Sequence, residues 1–203
     1  PVLNLDDQLN LPDGSGLLVQ TWTGLPLGTN GNGANPNDLQ SVIDQAGAPS
    51  GTATLSDVSN SGVAAGTASK VSGLIYLEAG QTYTFSGVGD DSIRIVVGGN
   101  NVAQATWGGS LGQLNGSFTP ASSGYYTLDI YHHNQSGPGN YDVNLSVNGG
   151  ASQNLSSANF DLFPNSSAIT DQGVRLSDLQ TDASGNFYRP FSINEGNEDS
   201  SIP

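Results

Sequence analysis

The chain has no cysteine and no methionine, and only four basic residues, Lys70, Arg94, Arg175 and Arg189, against 18 Asp and Glu. Each shortage excludes something. Without cysteine there are no disulfides and no thiolate metal sites, so the 203 residues rely on their core, with bound ions as the other resource. A net charge of −14 without clustered Lys or Arg excludes binding to phosphate backbones and to anionic lipid surfaces. No apolar run reaches the roughly 18 residues that a membrane-crossing helix requires. Charged residues make up only 11% of the chain, while 28 glycines and many Asn, Ser and Thr separate short apolar runs. That is the composition of an all-β protein with many turns. High acidity with abundant side-chain oxygens suits a calcium-rich or saline exterior. A cysteine-free domain of this kind points to a bacterial extracellular protein rather than a disulfide-stapled one. The start without Met or a signal-peptide pattern suggests a piece of a longer chain.

The apolar runs have strand periodicity almost throughout. Residues 2–5 alternate and suggest an edge strand, and Leu17 to Trp22 is the first strong strand. Residues 24–37 read as a long loop rich in Gly, Asn and Pro. A short helix follows, with Asn35 as cap, Pro36 at the first helical position, Leu39, Val42, Ile43 and Ala46 at helical spacing, and Gly47 as the stop. After a weakly patterned stretch over 48–70, strands are expected at 73–77, 82–85, 93–97, 102–104, 125–132 and 141–147, with a tight hairpin turn over Gly98–Asn101. In the 125–132 run, Tyr126, Leu128, Ile130 and His132 share one face; in the last, Tyr141, Val143, Leu145 and Val147 point inward. The expected fold is an antiparallel β-sandwich or barrel of half-solvated strands with one short helix and long loops. Residues 1–170 form the domain, closed by Leu155, Phe160, Leu162 and Phe163, and 171–203 form an acidic extension or linker.

One stretch stands apart. In Ser86-Gly87-Val88-Gly89-Asp90-Asp91-Ser92-Ile93-Arg94 two adjacent carboxylates sit where a glycine-punctuated turn enters a β-forming run. No lysine is near, and Arg94 is expected to balance the local carboxylates. Most Asp-Asp pairs are merely solvated turns; the sharper reading is a cation site that needs both groups together. His132 and His133 do not make a zinc site, because neighbouring strand residues face opposite ways and no third nitrogen or sulfur ligand exists.

In order along the chain, Phe85 to Gly99 with its two aspartates, Trp107-Gly108, Gly124-Tyr125-Tyr126 with Ile130-Tyr131, and the Gly-rich loop before Tyr141 resemble the fourteen-kilodalton protective-antigen (PA14) β-sandwich lectin domain of yeast flocculins and repeats-in-toxin bacterial adhesins. The resemblance spans about the first three-quarters of the chain. It departs at Ser92-Ile93, where many members have Gly-Tyr. The resemblance implies a cis peptide between Asp90 and Asp91, with both carboxylates on one calcium ion, an oxygen-seeking cation that takes about 6–8 ligands. A second loop, read here as His133 to Asn140, would add the side-chain oxygen of Gln135 or Asn134 and carbonyls around Gly137 and Gly139. Two coordination positions would stay open for adjacent sugar hydroxyls, with selectivity from Asn134, Ser136, His133 and Trp107. The partners implied are cell-surface glycans or monosaccharides of fucose or glucose type, bound at the bacterial cell surface for adhesion or biofilm formation by a monomeric module of a longer chain. Trp107 has an ordinary alternative as a core or lid residue.

Catalysis is not expected. Glycoside hydrolysis wants two carboxyls about 5–9.5 Å apart across a cleft, in separate acid and base roles, and no nucleophile-elbow pattern is present. The alternative to sugar binding is a spacer domain that keeps calcium for rigidity alone.

Overall fold

The computed structural model describes residues 16–27, 34–165, 180–181 and 187–188. The edge strand expected at 2–5 lies outside these residues, as does most of the 171–203 extension. Strand β1 (Leu17–Thr23) precedes the helix α1 (Pro36–Asp44), after which come β2 (Gly51–Leu55), β3 (Ser59–Val63), β4 (Thr67–Leu77), β5 (Tyr83–Asp90) and β6 (Ser92–Val97). They are followed by β7 (Asn100–Thr106), β8 (Gly112–Phe118), β9 (Gly124–Asn134) and β10 (Gly139–Val147), then the short strands β11 (Gln153–Asn154), β12 (Leu162–Phe163), β13 (Gln180–Thr181) and β14 (Phe187–Tyr188).

Two antiparallel sheets face each other. The larger runs β13-β14-β9-β4-β1-β2, with β6 also on β9, β7 on β6 and β12 on β4; the smaller runs β11-β10-β5-β8, with β3 on β10. Between them lie Phe85, Ile93, Ile95, Val97, Leu128, Ile130, Val143 and Leu145, all fully buried. Every one comes from the inward set of an alternating strand, which is why the period-2 pattern predicts the sandwich. Leu155 and Leu162 close this core, and Phe163 packs with Leu74 and Tyr125 on the outside of the larger sheet.

The strands are less solvated than their alternation suggests. Tyr131 and Ala68, on the outer face of the larger sheet, are covered by α1 through Leu39 and Ile43. The Asn35 side chain caps α1 by accepting from the Asn37 amide at 3.0 Å, as expected; the helix ends at Asp44, before the glycine at 47. Its last residue is tied to the sheet, for Asp44 accepts from Lys70 Nζ at 2.7 Å and from the Tyr131 hydroxyl.

Two further readings change. The 48–70 stretch holds β2, β3 and the start of β4, and β9 runs on through His133 and Asn134, so the loop to β10 is only residues 135–138. The hairpin at Gly98-Gly99 is as expected: both glycines have positive φ, 54° and 78°, the requirement of a two-residue turn whose twist matches its strands.

Gly87, in β5 just ahead of the aspartates, has φ 132°, and a Cβ there would lie 2.0 Å from the Asp142 carbonyl oxygen. Gly87→Ala is therefore expected to destabilise the domain by about 1–3 kcal/mol. An unchanged urea midpoint would contradict this packing.

Candidate functional site

Asp90 ends β5 in the smaller sheet and Ser92 begins β6 in the larger one, so the two aspartates stand where the chain crosses between sheets. Their connecting peptide is cis. The crossing is pinned from three directions. His132 Nε2 donates to the Asp90 carbonyl at 2.8 Å, the Asp91 amide donates to the His133 carbonyl at 3.1 Å, and the Trp107 amide donates to the Asp91 carbonyl at 2.6 Å. Trp107 leads another inter-sheet crossing, from β7 to β8, and its bond to Asp91 sets these two crossings side by side.

The carboxylates differ in setting. Asp91 is only 5% exposed, and its Oδ2 accepts from the Gln135 amide at 2.6 Å and the Ser136 amide at 3.3 Å, which folds the 135–138 loop over it. Asp90 is partly exposed; partial burial and then the adjacent Asp91 charge, with the two side chains in contact, raise its pKa above the usual carboxylate value. Arg94 does not relieve this repulsion as expected. Its Nη1 donates to Asn37 Oδ1 at 2.7 Å, and the ion pairs among the described residues all belong to Lys70.

Unsatisfied atoms collect here. Of seven buried side-chain nitrogens and oxygens without a hydrogen-bond partner among the described residues, four are His132 Nδ1, His133 Nδ1, Asn134 Oδ1 and Gln135 Oε1. A buried oxygen left unpaired costs about 1–3 kcal/mol, so such a concentration calls for a partner. The oxygen donors fit calcium: two touching carboxylates without a cation, with an unpartnered amide oxygen on the residue whose backbone grips Asp91. Gln135, Asp90 and Asp91 are thus brought together. Among the described residues no three His, Cys, Asp or Glu side chains cluster, so any ion here would need amide and backbone oxygens as well.

The other expected residues separate into supports and rim. Asn134 has no exposed surface; its Nδ2 donates to the carbonyls of Val63 at 2.7 Å and Gly137 at 3.0 Å, and a Cβ on Gly139 would come within 2.4 Å of its Cγ. Its Nδ2 braces the loop, while its Oδ1 has no partner among the described residues. His133 is also buried, at 4% exposure; its carbonyl accepts from the Asp91 amide, and its Nδ1 has no partner among the described residues. Ser136 is exposed and Trp107 half-buried. The Gly137 carbonyl already accepts from Asn134, and Gly139 opens β10 in register with Val63.

Three-dimensional comparison gives the architecture its place. The PA14 domain of the MpAFP antifreeze protein superposes with a TM-score of 0.60 at 26% identity, covering 76% of this chain and 94% of that one. The fold is that of a PA14 domain. A PA14 sugar-binding domain from an RTX adhesin matches at TM-score 0.62 and 20% identity, over 74% of this chain and 99% of that domain. The Epithelial Adhesin 6 A domain of Candida glabrata, solved with Galβ1-3GlcNAc, matches at TM-score 0.58 and 12% identity over 87% and 92%. No protein-family model and no curated protein sequence matches the chain.

Within this PA14 fold, sequence reasoning missed the role of His132 and the contact that joins the helical side to the crossing. Ser92 Oγ donates to the Ala34 carbonyl at 2.5 Å, across 58 residues, which no local pattern signals. His132 lies against the Tyr141 ring, 4.9 Å between centroids, and burial brings its pKa down to about 4. Because the folded pKa is depressed, the unfolded chain binds this proton first, and stability falls as the pH drops from about 6.5 toward 4. The expected loss from this group is about 2 kcal/mol by pH 5. His132→Gln, compared by urea denaturation at pH 7 and 5, should lack that component; an identical slope in both proteins would remove His132 as its source.

Proposed function

We propose that this domain is a calcium-dependent glycan-binding module of a large bacterial surface adhesin. The observation that supports this reading is the uncompensated pair Asp90 and Asp91, in contact with each other, beside a loop whose start carries the side-chain oxygens of Asn134 and Gln135, unpartnered among the described residues. Asp90, Asp91, Gln135 and carbonyls at Gly137 and Gly139 would hold the ion. Calcium in such a donor set keeps open positions for two adjacent sugar hydroxyls. Asp91 orders the loop through the Gln135 and Ser136 amides, while exposed Ser136 and half-buried Trp107 would border a sugar. The fold shared with a sugar-binding domain and a glycan-bound adhesin adds weight, and binding by such a site needs no catalytic group. Because one ring held through two hydroxyls binds weakly, adhesion would come from many copies at the cell surface.

The burial of Asp91 also suits a spacer in which calcium only stiffens the loop. Glycan-array binding in calcium, abolished by chelator and competed by fucose or glucose, is the expected outcome. Retention on glycans untouched by chelator would overturn the open-calcium mechanism, and no glycan binding at high calcium would leave the spacer.

A further inference from the structure

At the end of the sandwich away from the aspartates lies an open pocket of about 480 Å³. That volume is within the range of about 300–1,000 Å³ usual for small-ligand sites. Tyr76 and Glu78 reach it from the end of β4, Tyr83 from the start of β5 and Val147 from the end of β10, while Phe160 and Asp161 come from the segment before β12. Strand β5 runs from Tyr83 to Asp90. Seven steps of about 3.4 Å, roughly 24 Å in all, therefore separate the pocket from the aspartate pair. None of its lining belongs to the proposed calcium site.

The lining combines three aromatic rings, Tyr76, Tyr83 and Phe160, with two carboxylates, Glu78 and Asp161, and among the described residues no Lys or Arg. Aromatic faces and carboxylates share one preference, a cation. The basic side chains of the described residues are engaged elsewhere, Lys70 with Asp44 and Asp129 and Arg94 with Asn37. The pocket is also ordered in advance. The Tyr83 hydroxyl accepts from the Glu78 amide at 2.9 Å, the Tyr76 amide donates to the Asp161 carbonyl at 3.2 Å, and the Tyr76 ring meets that of Tyr125 edge-on, 5.3 Å between centroids. Such order lowers the entropic cost of binding. The negative field reaches the neighbouring phenols. Burial, and after it the Asp161 charge, raises the pKa of Tyr125, whose hydroxyl is buried without a hydrogen-bond partner among the described residues. Burial likewise raises that of Tyr83, with the Glu78 amide acting against it and the Glu78 charge adding to it.

We infer that this pocket takes an organic cation with N–H groups on a short alkyl stem, an alkylguanidinium or alkylammonium. The two carboxylates decide the head group: a quaternary ammonium has no N–H to donate to them, whereas guanidinium and ammonium form charge-assisted hydrogen bonds. The rings and Val147 supply apolar surface for the stem. Free alkyl amines or guanidines and the lysine or arginine side chains of a partner polypeptide share this chemistry. The inference is independent of the lectin reading and gives the domain a second class of ligand at its other end.

The test is calorimetry on the whole 203-residue chain at low salt, with butylguanidinium, butylammonium, butylurea and butyltrimethylammonium as probes. Butylguanidinium or butylammonium should bind about tenfold or more tightly than butylurea, which keeps the shape of the guanidinium without its charge, and than butyltrimethylammonium, which keeps the charge without the N–H groups. Glu78→Gln should weaken the cation by about threefold, as suits an exposed carboxylate. Glu78→Gln with Asp161→Asn should weaken it by about tenfold or more, with the urea midpoint checking that each variant folds. A blocked Gly-Arg-Gly peptide separates the sources: affinity equal to that of butylguanidinium assigns the pocket to a partner's side chain, and a tenfold loss assigns it to a free amine or guanidine. Butylurea binding as tightly as butylguanidinium, no measurable binding of either N–H cation, or an unweakened double variant would overturn the site. Equal binding of butyltrimethylammonium would overturn recognition through the carboxylates.

Discussion

Replacing Asp91 with alanine is expected to abolish calcium-dependent glycan binding, with a loss beyond about 100-fold, in a domain that still folds as a sandwich. The side chain has two tasks. It shares the proposed ion with Asp90, and its Oδ2 takes the Gln135 and Ser136 amides that close the loop. Alanine removes both, so about 1–3 kcal/mol of stability should go with the two unpaired amides. The variant Asp91→Asn separates the tasks, since an amide oxygen still accepts from the loop while the negative charge is gone. Isothermal titration should then find no calcium binding in Asp91→Asn, while its urea midpoint stays near that of the parent. Sugar affinity within a few-fold of the parent in that variant would mean that the site is elsewhere.

Calcium itself should raise thermal stability by a large margin. A ligand that binds only the folded state adds about 4 kcal/mol at a thousandfold excess over its dissociation constant. For a domain of this size each kcal/mol moves Tm by about 2–4 °C, so a rise of roughly 8–16 °C is expected. Two sources feed it: the repulsion between Asp90 and Asp91 is cancelled, and the buried Gln135 Oε1 gains a partner. Magnesium should give a smaller shift, because it gives up its waters reluctantly and demands near-octahedral geometry. Scanning calorimetry with calcium, magnesium or chelator measures this directly. A Tm indifferent to calcium, or a full shift retained in Asp90→Asn, would show that the pair holds no ion.

These expectations differ in how far they were readable before the fold was known. The Asp90-Asp91 pair is visible as an unneutralised charge in a glycine-rich turn, and the adjacent residues suffice to raise the idea of a cation. The partner is different. Asn134 and Gln135 are neighbours with the same amide chemistry, and only the end of β9 separates them: Asn134 still belongs to the strand and turns its Nδ2 to Val63 and Gly137, while Gln135 begins the loop with its amide on Asp91, and the side-chain oxygens of both have no partner among the described residues. Arg94 shows the same limit. Its nearest carboxylates in sequence are Asp90 and Asp91, yet packing of α1 on the larger sheet presents Asn37 to it instead.

By itself the sequence determined the strands, the capped helix, the Gly-Gly hairpin and the acidic turn. Each is written in a short window, where alternation, capping chemistry and φ preferences act between residues a few positions apart. Only the tertiary structure decided that both faces of β9 are covered, that the Gln135 and Ser136 amides close on Asp91, and that Asn140 pairs with Asp90 across β5 and β10. Those outcomes depend on register and on which segments cross between the sheets. Both are settled by burying one common core, and no local stretch of chain contains that information.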